Sequence, residues 1–168
     1  MTGFSYILLG SNMGSRDSII NKAVSMINDR CGLVISKSSF YESEPWGFES
    51  ENAFLNQVII IKTEKNAHEL LKILLSIEIE LGRDRKHHYD TYVSRPIDID
   101  ILYYDDLICD SEDLQLPHPR LHLRRFTLMP LCEIAPDFVH PIFSKTNEEL
   151  LECCVDDLSV KLYSGSMQ

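Results

Sequence analysis

Residues 95–102 read Arg-Pro-Ile-Asp-Ile-Asp-Ile-Leu, and no other stretch restricts the fold so tightly. Strict alternation predicts a strand in which Ile97, Ile99 and Ile101 face one way and Asp98 and Asp100 the other. The apolar face demands a packed layer against it. The acidic face sets two carboxylates roughly 6–7 Å apart, where they repel unless something cationic lies between them. Two meanings are open. One is an ordinary half-exposed strand, the commonest source of such alternation. The other is a holder of divalent ions on a nucleotide, because Mg²⁺ is bound by one or two carboxylates plus phosphate oxygens.

Hydrophobic periodicity places other elements around this strand. Phe4 to Leu9 is a short apolar run ending at Gly10, a buried first strand. Gly10-Ser11-Asn12-Met13-Gly14-Ser15 is a turn and not a Walker loop, since the spacing to a Lys is absent. Ile19, Ile20, Ala23, Val24 and Ile27 recur at helical spacing over residues 16–29, with Ser15 or Asp17 available as a cap and Gly32 as the stop. Residues 33–43 read as a second strand and Phe54 to Lys62 as a third. Residues 67–82 form a helix striped by Ala67, Leu70, Leu71, Leu74 and Leu81; Glu78 lies on the stripe, so it needs solvent or a partner, for which Arg83 and Arg85 are the nearest candidates. A loop at 83–96 leads into the Asp strand. A turn at Asp105-Asp106 and a short partner strand at 107–109 follow, then the extended Leu116-Pro117-His118-Pro119-Arg120. Helices are predicted at Phe126 to Ile134, ended by Pro136, and at 146–155; the tail from Ser159 is unassigned. The order fits one α+β domain over residues 1–168. It has a ferredoxin-like β-α-β-β-α-β core with additional strands and helices, a mostly antiparallel sheet packed by helices.

The formal net charge is −10, which argues against a general nucleic-acid binder or a protein of anionic membrane surfaces. The cations are unevenly spread. Arg83, Arg85, Lys86, Arg95, Arg120, Arg124 and Arg125, seven of the sixteen Lys and Arg, flank the Asp pair on both sides. Local basic clusters in an acidic chain suit a small anionic substrate, phosphate above all. The five cysteines have no disulfide or zinc spacing, and four of them read as small core residues. No leader or membrane-spanning run is visible, so a cytoplasmic location is expected. The absence of an extra apolar helix face points to a monomer.

Phosphoryl-type transfer needs metals, positioned cations and aligned reactants more than covalent help. Asp98 and Asp100 can hold metals, while Arg83, Arg85, Arg95, His118 and Arg124 can reach phosphate oxygens.

Five runs in order, YILLGSNMGSR (6–16), SSFYESEPWG (38–47), AFLNQV (53–58), RPIDIDIL (95–102) and LPHPRLHLRRFTLMPLCEIAP (116–136), resemble the 6-hydroxymethyl-7,8-dihydropterin pyrophosphokinases of folate biosynthesis. The resemblance implies transfer of the terminal pyrophosphate of ATP, the co-substrate, to the hydroxymethyl group of the pterin, with release of AMP. It implies two Mg²⁺ ions on Asp98 and Asp100. Arg83, Arg85 and Arg95 take the catalytic positions; with Glu78, Ile101, His118 and Arg124 they make up the ATP side. Phe54 and Phe126 match the positions between which the flat pterin stacks. Asn56 matches the amide that reads its edge, with Ser43, Glu44, Trp46 and Asp98 completing that side. Two departures stand out. Tyr92-Val93-Ser94-Arg95 replaces the family's Trp-Gly-Pro-Arg or Asn-x-Pro-Arg, and position 54 is Phe where some members have Tyr. Two other readings compete: a D-x-D nucleotide-sugar transferase, which also pairs aspartates with a metal, and a regulatory module that binds ATP without consuming it.

Overall fold

The computed structural model describes residues 2–45, 52–82 and 96–164. Its elements run β1 (Gly3–Ser11), α1 (Arg16–Arg30), β2 (Leu33–Lys37), β3 (Tyr41–Ser43), β4 (Phe54–Thr63), α2 (Ala67–Glu80) and β5 (Asp98–Tyr104). They continue with β6 (Cys109–Asp110), β7 (Gln115–Leu116), a 3₁₀ turn at Leu121–Leu123, α3 (Arg125–Ile134), α4 (Asn147–Cys153) and β8 (Val160–Leu162). The main sheet has the order β5-β1-β4-β3-β8, with β2 also on β4, and all its pairings are antiparallel. Taking β2 and β3 as one bent second strand, this is the strand order of a ferredoxin-like sandwich: each βαβ unit is split by a strand from the other.

The sheet is covered on both faces, so strand residues of both parities are apolar near its middle. Ile7 and Leu9 of β1, Leu55, Ile59 and Ile61 of β4, and Ile99 and Ile101 of β5 pack with Ile20, Ile27, Leu70, Leu74 and Ile77 of α1 and α2. Leu8, Val58, Leu102 and Tyr103 pack on the opposite side with Leu128 and Leu131 of α3 and Leu150 of α4. Leu102 and Tyr103 are consecutive yet belong to one cluster because the β1–β5 register shifts there, Tyr6 opposing Tyr103 and Ile7 opposing Ile101. Such a bulge gives one strand an extra residue and ends the alternation that began at Ile97. Asn147, wholly buried, accepts from the Tyr103 hydroxyl at 2.8 Å and donates to the Ala135 carbonyl at 2.8 Å, tying α4 to both the sheet and α3.

Several boundaries differ from the sequence reading. The strand expected over 33–43 is two strands, because Ser38 interrupts the ladder. Its hydroxyl accepts from the Val58 amide at 3.0 Å and donates to the Ser39 carbonyl at 2.8 Å. The Asp strand begins at Asp98 rather than Ile97. The short strand expected at 107–109 lies at Cys109–Asp110 and pairs with Gln115–Leu116 in a separate ribbon, not with the Asp strand. Positive φ at Asp105 turns the chain away, and that residue's amide caps the Phe4 carbonyl. The tail strand β8 was not foreseen. Ser15 occupies the N-cap of α1 without a side-chain cap bond, and Asp17 instead accepts from the adjacent Ser18 amide. Of the cysteines only Cys31 is buried; Cys153 is exposed and the rest are half-buried. No helix among the described residues is long and apolar enough to cross a membrane.

His140 couples this packing to pH. It is 2 % exposed, its Nδ1 accepts the Ile142 and Phe143 amides, each at 3.1 Å, and its ring stacks on Phe143. Burial, then the nearby His122, pushes its pKa down from 6.5 to about 4. The unfolded chain therefore binds a proton between those values that the folded chain refuses, and stability falls as pH drops through that window. Urea unfolding at about pH 7 and about pH 5 should show the parent losing on the order of 1–2 kcal/mol more than His140→Gln on acidification. Equal losses in both proteins would remove His140 from the acid response.

Candidate functional site

The antiparallel register assembles the site from residues far apart in sequence. Gly10 of β1 stands opposite both Asp98 of β5 and Asn56 of β4, and Asn56 stands opposite Tyr41 of β3. Residues directly opposed in an antiparallel ladder share a face. Asp98, Gly10, Asn56 and Tyr41 thus form one row across four strands on the α3 side of the sheet. Asp100 lies in the parallel row through Leu8 and Val58, and Phe54 pairs with Ser43 in the row beyond Asn56. Gly10 keeps the middle of its row low: a Cβ there would stand 3.4 Å from Asn56 Oδ1 and 3.7 Å from Phe54.

Asn56 is 2 % exposed and its orientation is set by its donors. Nδ2 donates to Ser43 Oγ at 2.8 Å and to the Tyr41 carbonyl at 3.2 Å, which turns Oδ1 toward Gly10. Tyr41 is held in turn by Glu133 of α3, whose Oε1 accepts its hydroxyl at 2.7 Å, while Oε2 accepts the Ser39 amide at 2.8 Å. Burial, and then the Glu133 hydrogen bond, pushes the Tyr41 phenol up to about 12, so it remains a donor. One helix therefore fixes β3 and also carries Phe126 at its start. The Arg124 guanidinium lies 5.5 Å from the centre of the Phe126 ring, a cation–π distance.

On the other side of the Asp pair, β5 is the last strand of the sheet, and a cleft of about 270 Å³ follows its edge. Glu78, Ile99, Asp100, Ile101 and His118 line it together with Leu71 and Leu75. Glu78 is 1 % exposed. Its Oε2 accepts the outward amide of Ile99 at 2.7 Å, so the first group to meet this buried carboxylate is backbone from the middle of the Asp strand. His118 is anchored by its own amide, which donates to the Leu102 carbonyl at 2.9 Å. Its Nδ1 accepts the Arg120 amide at 3.1 Å, which leaves the proton on Nε2. Burial first, then the charge of Arg124, lowers its pKa to about 4 against the opposing pull of Asp98, so the ring is a neutral donor at pH 7.

Of the residues singled out from sequence, the structure brings Asp98, Asn56, Ser43 and Phe54 onto one face, and Asp100, Glu78, Ile101 and His118 around one cleft. Glu44 follows β3 directly, its amide 3.4 Å from the Ser159 carbonyl. Trp46, Arg83, Arg85, Arg95 and the 83–95 loop with Tyr92 lie outside the described residues. Sequence reasoning missed Tyr41, Glu133 and the role of Gly10. An isolated glycine inside an apolar strand run was the available signal. Among the described residues no group of three or more His, Cys, Asp or Glu side chains clusters as a metal site. The two aspartates form a sparse, all-oxygen donor set, which suits Mg²⁺ that keeps waters and substrate oxygens in its shell.

A ferredoxin-like sandwich whose two-aspartate edge strand lies between the Asn56–Phe54 face of the sheet and the cleft shared with Glu78 and His118 is the class that this geometry defines. Residues 6–136 match the family model for 7,8-dihydro-6-hydroxymethylpterin-pyrophosphokinase (HPPK). The chain is 44% identical over 137 residues to the 2-amino-4-hydroxy-6-hydroxymethyldihydropteridine pyrophosphokinase of Porphyromonas gingivalis, covering 81% of this chain and 92% of that one. It is 42% identical over 145 residues to the Aquifex aeolicus protein of the same name, covering 86% and 88%. The fold superimposes on wild-type Plasmodium falciparum HPPK-DHPS with a TM-score of 0.73 at 16% identity, over 91% of this chain and 45% of that one. The chain thus spans less than half the length of that solved structure. It belongs to the pyrophosphokinase family, and its reaction is transfer of pyrophosphate from ATP to 6-hydroxymethyl-7,8-dihydropterin.

Glu78 offers a test of how the edge strand is held. Glu78→Ala strands the buried Ile99 amide and should lower unfolding free energy by about 2 kcal/mol; Glu78→Gln retains an acceptor and should lose less. Urea denaturation of the two variants measures the difference, and identical losses would mean the hydrogen bond contributes nothing.

Proposed function

We propose that the pyrophosphoryl transfer takes place over the Asp98–Gly10–Asn56 row, with ATP on the β5 edge side and the pterin over β1, β4 and β3. The single observation supporting this is the register itself. It puts Asp98 in line with Asn56 across a glycine, while Asp100 lines the cleft shared with Glu78, Ile101 and His118. The transferred group must lie between two reactants, and the aspartates lie between two differently built surfaces.

In this reading Phe54 and Phe126 stack the flat pterin ring, and Asn56 Oδ1 accepts a ring N–H, since its Nδ2 is already engaged by Ser43 and Tyr41. Ser43, Glu44 and Trp46 complete the pterin side, with Asp98 at its margin. His118 Nε2 donates to a phosphate oxygen, while Arg124 bridges the two sides by facing Phe126 and the phosphates together. Arg83, Arg85 and Arg95 supply the remaining cationic contacts to the triphosphate. Glu78 acts on the nucleotide side by fixing the amide between the two aspartates. Asp98 and Asp100 would hold two Mg²⁺ ions. When bound, these neutralise phosphate charge and orient the chain of phosphates. The hydroxymethyl oxygen forms a bond to the β-phosphorus as the bond from that phosphorus to the α-phosphate oxygen breaks, and AMP leaves. We further propose a cytoplasmic monomer with no nucleic-acid or membrane partner.

Incubation with ATP, Mg²⁺ and the pterin should yield AMP with the pterin diphosphate. ADP or free phosphate in its place would overturn the reading, and so would ATP binding without turnover. Asp98→Ala and Asp100→Ala should each keep their circular dichroism and lose about a thousandfold in rate, equivalent to roughly 4 kcal/mol of transition-state stabilisation. Near-parental rates in both variants would remove the metal-holding role.

A further inference from the structure

Arg16 is the first residue of α1, where a cation opposes the positive end of the helix dipole. Helix stability alone favours an acidic residue there, so the arginine is held by its contacts elsewhere. Nη1 donates to the Ala53 carbonyl at 2.9 Å, and Nη2 pairs with Glu42 Oε2 at 2.7 Å. The guanidinium carbon lies 5.4 Å from the centre of the Tyr163 ring. These three partners belong to three separate segments. Ala53 immediately precedes Phe54, Glu42 immediately precedes Ser43, and Tyr163 follows β8, its amide donating to the Phe40 carbonyl at 2.9 Å. The β8 strand in turn pairs Val160 with Ser43.

The faces matter here. Glu42 is opposite Leu55, whose side chain packs in the α1–α2 core. Ser43, Phe54 and Asn56 have the other parity and face α3. Arg16 therefore reaches the pterin-side strands from behind the sheet and can influence a ligand only through the backbone. Its planar fork suits that task, since two fixed N–H directions meet two acceptors on neighbouring strands. Arg16 also lines a cleft of about 310 Å³ with Asn12, Gly14, Glu42, Asn52 and Ala53.

We propose that Arg16 is a positioning residue for pterin recognition: it sets the backbone at Glu42–Ser43 and Ala53–Phe54, and hence the spacing of the pterin contacts, without bearing on the nucleotide. The proposal rests on the assignment of Ser43, Phe54 and Asn56 to the pterin. Steady-state kinetics on the full chain separate the possibilities. Arg16→Ala should raise the KM for the pterin about tenfold, as expected when a charged two-acceptor contact that orders a binding segment is lost, and leave the KM for ATP within about twofold. Arg16→Lys keeps the charge toward Glu42 but cannot span both acceptors, and should fall between. Glu42→Gln combined with Arg16→Ala should be non-additive. An unchanged pterin KM, or equal rises for both substrates accompanied by a lowered melting temperature, would overturn the proposal. If Arg16→Ala does not fold, the split between the two KM values in Arg16→Lys decides. Asn56→Ala is the control for the underlying assignment. If it leaves the pterin KM unchanged, that assignment fails; if it raises the pterin KM and Arg16→Ala does not, only the positioning role fails.

Discussion

The register of β1 against its two neighbours decides where every other part of the site lies. β1 is antiparallel to both β4 and β5, so the parity of a residue in one strand dictates the face of its partners in the other two. A slip of one residue on either side would send Asp98 and Asp100 into the α1–α2 core and Ile99 and Ile101 out of it. The hydrophobic core therefore enforces the site. Ile7, Leu9, Leu55, Ile59, Ile99 and Ile101 can all be buried together only when the strands pair with this parity, and with it the aspartates, Gly10 and Asn56 share the opposite face.

That opposite face is not uniformly polar. Over the middle of the sheet it is as apolar as the first, packed by α3 and α4 through Leu8, Val58, Leu102 and Tyr103. Polar residues such as Asp98 and Asn56 flank Gly10 in the next row, and several groups around them are held by neighbours. Asn56 is turned by Ser43 and Tyr41, Tyr41 by Glu133, and the Asp strand by Glu78. Each bond satisfies a buried donor or acceptor that would otherwise cost about 1–3 kcal/mol. The same bonds remove rotamer freedom from the Asn56 and Tyr41 side chains. Stability and preorganisation here come from the same contacts.

Much of this was legible in the chain. Ile97 to Ile101 announced their strand because period-two alternation has few other meanings, and the 67–82 stripe announced α2 because Leu70 and Leu74 return every turn. Where sequence reading went astray, tertiary contacts overrode local pattern. Residues 33–43 look continuously β-forming, and only the Ser38 hydroxyl, which takes the Val58 amide, divides them. β8 is a short segment with no strong pattern and exists because β3 offers it a free edge. Glu78 on an apolar stripe was visible as an anomaly; one group it meets is the Ile99 backbone amide, which leaves no mark in a sequence, while Arg83 and Arg85 lie outside the described residues. The aspartates were ambiguous alone. What the structure adds is their register, which brings Gly10 and Asn56 alongside Asp98 across gaps that no local window spans.

The charge distribution follows a related logic. A chain of net charge −10 that takes a nucleotide triphosphate as substrate works against its own average field. Screening limits that opposition, because charges beyond about 8 Å are largely shielded at physiological salt. Only the immediate neighbourhood of the phosphates need be cationic, and the sequence concentrates arginines on either side of the Asp strand. His118 lies among these arginines without adding to their charge. Burial first, and then the charges of Arg124 and Arg120, keep it neutral, so it presents an oriented N–H rather than one more positive charge among arginines that repel it. A protonated ring there would have to overcome both burial and that repulsion, whereas the neutral tautomer fixed by the Arg120 amide needs no rearrangement before it can donate.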